Sequence, residues 1–149
     1  MGVAPRRLTP LDSEEALRLV ATISLGRIVF TAHALPAIRP VNHVVDDGDV
    51  VIRTHTDDAV VSAIDAAADT VVAYEADTID PVDQLGWMVV ITGVAHLVTD
   101  AGQLVRYERT LQPWVTQPMG QVIRVHPQIV TGFRLIPANQ YRDESPASI

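Results

Sequence analysis

Hydrophobic and polar positions change period several times along the chain, and each change marks an element. After Asp12, residues Ala16, Leu19, Val20 and Ile23 fall at i, i+3, i+4 and i+7 and make one apolar stripe. Asp12 with Glu15 three residues on is a capping pair, so residues 12–23 are predicted as a helix. Arg27–Ala32, rich in Ile, Val and Phe, reads as a strand. Ala37–Asp46 and Asp49–Thr56 flank Asp47-Gly48, a two-residue turn whose central residues both need positive φ. The hairpin this predicts sets Arg39 opposite Thr56, Val41 opposite Thr54 and His43 opposite Ile52. These residues share one face, and Asn42, Arg53 and His55 lie on the other.

Beyond the hairpin, residues 58–68 carry a helical stripe of Val60, Ala63, Ile64 and Ala67, and Thr70–Ala76 reads as a strand. Leu85–Thr99 is a long strand that is apolar on both faces, with Trp87, Val89 and Ile91 alternating with Met88 and Val90. A strand covered on both sides fits a barrel wall that also meets something outside it. Gly93 marks a bulge or bend within it. A third helix spans 101–111, capped by Asp100 with Gln103 in support. Val122–Val125 and Ile129–Ile136 read as final strands interrupted by Pro127. Residues 1–10 and Pro137–Ile149 read as tails around a single domain of residues 11–136. About six strands, with the last two segments flanking Pro127, three short helices and mostly turn connections predict an α+β protein built on a six-stranded antiparallel barrel with short flanking helices.

Composition narrows the chemistry. The 149 residues include no cysteine and no lysine, and the formal net charge is −7. Thiolate metal sites, disulfides, Schiff-base catalysis and a phosphate-loop lysine are excluded. The acidic balance argues against nucleic acid as a partner. No apolar run is long enough to span a membrane. The arginines near Met1 lack a following apolar stretch, so no secretory signal is expected and a cytoplasmic protein is.

Among candidate functional residues, Arg39, Thr54 and Thr56 share a hairpin face just ahead of a helix start. A guanidinium, two hydroxyls and free backbone N–H groups make an anion site, and phosphate is the usual guest. The competing reading pairs Arg39 with Asp57 or Asp58. No two histidines stand at a zinc spacing, so no metal site is expected. His43 and His55 read as barrel-rim or interface residues. No GxSxG supports a hydrolase. Trp87 reads as core or dimer packing, or as a ring that stacks on a planar ligand.

The order of segments "SLGRIVF" (Ser24–Phe30), "RPVNHVVDDGDVVIRT" (Arg39–Thr54), "VVAYEADTID" (Val71–Asp80), "GWMVVITGVAHLVTD" (Gly86–Asp100) and "IRVHPQIVTGFRL" (Ile123–Leu135) resembles the pyridoxamine 5'-phosphate oxidase-like family. These are flavin- or deazaflavin-binding split barrels, and the chain looks closest to the nitroimidazole-reductase-like branch. The resemblance implies a homodimer with FMN or a deazaflavin at the subunit interface. It implies that Arg39, Val41 and Asn42 run beside the ribityl chain and phosphate, and His43 is counted with them as a cofactor-binding candidate. Arg53, Thr54 and Thr56 would receive the phosphate, and Trp87 would lie near the ring. One departure stands out. Where the family usually has a Gly-Ser turn followed by a basic residue, this chain has Asp57, Asp58 and Ala59. Two functions are therefore expected to compete: a flavin- or deazaflavin-dependent oxidoreductase, and a non-enzymatic carrier or sensor for a flavin or haem on the same dimeric barrel, with His43 or His55 as ligand.

Overall fold

The computed structural model describes residues 5–54, 58–65, 69–111 and 120–138. The elements run β1 (Arg6–Leu11), α1 (Ser13–Val20), β2 (Leu25–Ala32), β3 (Leu35–Asp46), β4 (Asp49–Thr54), α2 (Ala59–Asp65), β5 (Thr70–Ile79), β6 (Gly86–Leu97), α3 (Ala101–Thr110) and β7 (Gln121–Pro137). Every strand pairing is antiparallel. The sheet order is β1-β7-β4-β3-β2-β5-β6, and β6 pairs in turn with β7. The pairings from β2 to β7 thus close on themselves in a split-barrel-like sheet, and β1 lies outside that ring.

Among the described residues there are seven strands where about six were expected. The additional one comes from the N-terminal stretch read as a tail: Arg6–Leu11 pairs residue by residue with Pro137–Gly132. Its own sequence carries little strand signal. The partner does the work, because the far half of β7 offers an open edge.

The two final strands expected on either side of Pro127 are one strand of 17 residues. The β6–β7 register shifts from Thr92↔Ile129 to Gly93↔Pro127, which leaves Gln128 as the extra residue of a bulge. A bulge tolerates the missing proline N–H. At Gly93 the carbonyl of His126 comes so close that a side-chain Cβ would collide with it.

The hairpin turn forms as expected, with Asp47 at φ 50° and Gly48 at φ 78°. Its register is also as expected, from Asp46↔Asp49 to His43↔Ile52. There the ladder stops. Leu35–Asn42 pairs with β2 instead, while Arg53 and Thr54 pair with β7. The expected pairing of Val41 with Thr54 does not form, and Thr56 lies outside the described residues.

Asp12 caps α1 by accepting the Glu15 N–H at 2.8 Å, and α1 buries Ala16 and Val20 against the barrel. Asp100 caps α3 by accepting the Gln103 N–H at 2.9 Å. The main core fills the barrel and extends to Val60, Val61 and Ile64 of α2. A smaller core of Val51, Val98, Tyr107, Leu111 and Val122 lies under α3. Among the described residues, no helix is long and apolar enough to cross a membrane.

A polar network ties α3 to the hairpin turn. The Tyr107 hydroxyl donates to Asp46 Oδ2 at 2.6 Å, and Arg106 donates to the same oxygen at 2.7 Å. Arg124 of β7 donates to Asp49 Oδ2 at 2.6 Å. The Tyr107 hydrogen bond, with the charges of Arg106 and Arg124, holds the Asp46 carboxyl below its usual range. Asp46→Asn is expected to lower the unfolding free energy at pH 7 by about 1–2 kcal/mol, measured in urea. A depressed carboxyl contributes above its unfolded pKa of about 3.9 and loses that contribution as pH falls further. The two proteins should therefore converge in acid. An unchanged gap down to the acid limit would overturn the charge-based account.

Candidate functional site

The place where β3 and β4 separate holds the expected anion-site residues. Arg39 projects from the β2-paired half of β3 with its side chain 45% exposed, and Thr54 ends β4 fully buried. No ladder joins them. Asp58, just ahead of α2, reaches across instead. Its Oδ1 lies 3.7 Å from Arg39 Nε and accepts the Val60 N–H at 3.1 Å. Its Oδ2 accepts the Thr54 hydroxyl at 3.2 Å. The guanidinium also donates to the Ile38 carbonyl and lies over the Phe30 ring. The pairing of Arg39 with Asp58 that competed with a phosphate site is thus the arrangement present. Thr56, His55 and Asp57 lie outside the described residues.

His43 is not at the rim. It is 2% exposed, inside the barrel. Its Nε2–H donates to the Val20 carbonyl at 2.8 Å, so Nδ1 accepts the hydroxyl of Tyr74, whose ring it meets edge-on. Both ring nitrogens are engaged, so His43 has no lone pair left for a haem iron. Its main-chain N–H donates to the Ser24 carbonyl, which also accepts from the Asn42 side chain at 3.3 Å. Gly26 makes this possible: a Cβ there would run into the Tyr74 ring and hydroxyl. The sequence reading missed Tyr74. The available signal was its place in the inward alternation Val72, Tyr74, Ala76 of β5.

The remaining expected residues are dispersed. Val41 is buried in the main core, as is Trp87 at the start of β6. Arg53 points to the other face of β4 and donates to the Leu111 carbonyl at 3.3 Å. Arg124 and Arg134, which a second anion would need, are held by Asp49 and Glu15. Two openings adjoin these groups. One, of about 760 Å³, has Ser24, Arg27, His43 and Asp77 among its walls. The other, of about 310 Å³, lies between Thr31–His33 and the first turns of α2, including Ala59 and Ser62. On the outer face, Arg27 bridges Glu75 at 2.8 Å and Asp77 at 3.5 Å. Burial and the neighbouring Asp77 push the Glu75 carboxyl up to about 7, against the pull of Arg27.

Fold and site together define a split-barrel-like α+β protein with a cation and a hydroxyl where the barrel opens. A family model described as pyridoxamine 5'-phosphate oxidase matches residues 12–134, and the chain belongs to that family. An uncharacterized protein of Mycobacterium tuberculosis is 50% identical over 133 residues, 88% of each chain. The structure of an FAD binding protein from Mycobacterium smegmatis is 36% identical, covers 85% of this chain and 97% of its own, and superposes with a TM-score of 0.71. An FAD-binding protein from Mesorhizobium loti shares the fold at 14% identity, with a TM-score of 0.70 over 89% of this chain and 99% of its own.

Burial lowers the His43 pKa from its ordinary value near 6.5. The unfolded chain then takes up this proton first, so stability is full above pH 6.5 and declines as pH falls towards the folded value. His43→Gln is expected to lose about 1–3 kcal/mol at pH 8 through the unpaired Tyr74 hydroxyl or Val20 carbonyl. It should also unfold with a shallower pH slope between pH 6.5 and 5. Urea midpoints across that range check both, and identical slopes would refute the buried neutral histidine.

Proposed function

We propose that this chain is a flavin- or deazaflavin-binding oxidoreductase that works as a homodimer, with the ring held at the subunit interface. The observation that carries the proposal is the convergence of Arg39 and Thr54 on Asp58 where β3 and β4 separate. Family membership and the 36% identity to a protein named for FAD binding support it. A flavin carries its own redox chemistry, so the protein's task is to bind and orient it. That agrees with a site that offers a cation and a hydroxyl rather than a general acid–base pair. The phosphate end does not fit as it stands, because Asp58 already takes the donors that an FMN phosphate would use.

The outer face of the barrel supports the dimer. Val71 of β5, Val90 of β6 and Ile129 of β7 are 59%, 42% and 62% exposed, with Met88 and Val94 half-buried between them. Val71 pairs with Val94, and the face they share also carries the Arg27–Glu75 ion pair. Exposed apolar side chains on three paired strands support an interface, and a second copy of the chain is the proposed cover.

Titration of the purified protein with riboflavin, FMN and a deazaflavin, followed by fluorescence, should give saturable binding to at least one of them. A reductant-driven turnover assay then separates an oxidoreductase from a carrier. No binding of any of the three would sink the flavin reading. Sedimentation should give twice the 16.2 kDa chain mass. Ile129→Arg should weaken dimerisation about tenfold or more, since its cross-strand neighbour Thr92 offers no counter-charge and an unpaired charge would be buried, while leaving the monomer folded. A wild-type monomer at high concentration would refute the interface.

A further inference from the structure

The carboxylate of Asp58 sits where an anion would sit. Its two oxygens meet a guanidinium (3.7 Å), a hydroxyl (3.2 Å) and a main-chain N–H (3.1 Å). Those are the three donor types that otherwise recognise a phosphate. The carboxylate is covalently part of the chain, and it is anchored as the N-cap of α2 through the Val60 N–H. Its effective concentration at Arg39 is therefore high, and a ligand anion must displace it rather than fill a gap. Asp58 is 15% exposed and Thr54 3% exposed, so their hydrogen bond is shielded from solvent, whereas Arg39 at 45% exposed stays open to a ligand.

We propose that Asp58 is the specificity-determining residue of this site: it occupies the anion position itself, and so selects a flavin-type ligand with an uncharged ribityl end over one ending in a phosphate monoester. This rests on the flavin reading above and sharpens it to a ligand class. A phosphate monoester carries close to two negative charges at neutral pH. Placing it beside Arg39 means either expelling the Asp58 carboxylate or holding two like charges within about 4–6 Å. An uncharged hydroxyl-bearing chain meets neither obstacle and can still accept a hydrogen bond from the half-exposed Arg39 or donate one to Asp58. Other arginines of the sheet are already engaged and do not rescue the monoester. Arg124 and Arg134 are committed to Asp49 and Glu15, and Arg53 faces the Leu111 carbonyl.

The test compares the dissociation constants of riboflavin and FMN for the wild type, Asp58→Asn and Asp58→Asn/Arg39→Ala by calorimetry at low salt. It also titrates inorganic phosphate into all three. Asparagine is isosteric and retains capping ability, so α2 should stay formed. Asp58→Ser, also a good cap, repeats the measurement if the first variant unfolds. The wild type is expected to bind riboflavin at least as tightly as FMN. Asp58→Asn is expected to tighten FMN about tenfold or more, leave riboflavin within about twofold, and gain inorganic phosphate binding. Adding Arg39→Ala should remove both gains. A wild type that prefers FMN over riboflavin tenfold, or an Asp58→Asn that gains neither FMN nor phosphate affinity, would overturn the proposal. If no flavin binds any of the proteins, the flavin reading fails, and the phosphate titration still decides whether Asp58 holds the anion position.

Discussion

The structure depends on the closure of the sheet by β7. That strand is long enough to pair with β6 along most of its length, and on its other side to serve two partners in succession. Its near end, Gln121–Val125, takes β4, and its far end, Gly132–Pro137, takes β1. Without the β6–β7 pairing the sheet would have open edges at both ends of the ring. The bulge opposite Thr92 and Gly93 lets so long a strand bend around the barrel, which is why Pro127 interrupts hydrogen bonding there without ending the strand.

Closure has a consequence at the opposite wall. β4 is held by β7 along Val50–Thr54, but by β3 only through Asp49–Ile52. β3 cannot follow both neighbours, and its first eight residues stay with β2. The final residues of β4 therefore have a free side, and the barrel opens there. An open strand side exposes donors and acceptors that need partners. Asp58 supplies a carboxylate to that gap, and joins Arg39 from one lip to Thr54 from the other. The candidate site is thus a product of strand pairing, and its charge is a product of one residue choice.

Much of this was legible in the sequence, and the gaps have physical causes. The turn at Asp47-Gly48 fixed the hairpin register because few residue pairs accept two positive φ values. The caps at Asp12 and Asp100 appeared where expected because a side-chain oxygen three residues ahead of a free N–H is a local signal. The extent of the β3–β4 ladder was not legible, because where it stops depends on the distant strands β2 and β7. The strand at Arg6–Leu11 was missed for a similar reason: its partner edge lies more than a hundred residues away. At the site, sequence placed Arg39, Thr54 and Asp58 in one neighbourhood. It could not decide between an open anion site and an internal ion pair, which differ by a few ångströms of side-chain reach.

His43 shows how a residue one step from the site can be held by the core. Asn42 is the last residue of β3 paired with β2, and His43 is the first paired with β4. The main-chain N–H of His43 goes to Ser24, while its ring spans from the Tyr74 hydroxyl to the Val20 carbonyl. Val20 ends α1, Ser24 precedes β2 and Tyr74 lies in the middle of β5, so one buried side chain and its backbone fasten three elements at the point where β3 changes partner. An apolar residue of the same size would fill the space but leave the phenol and the carbonyl unpaired. The absence of a side chain at Gly26 and the neutral state of the imidazole are both conditions of that arrangement. The His43–Tyr74 pair thus anchors the residue at which β3 changes partner, although it contacts neither Arg39 nor Thr54.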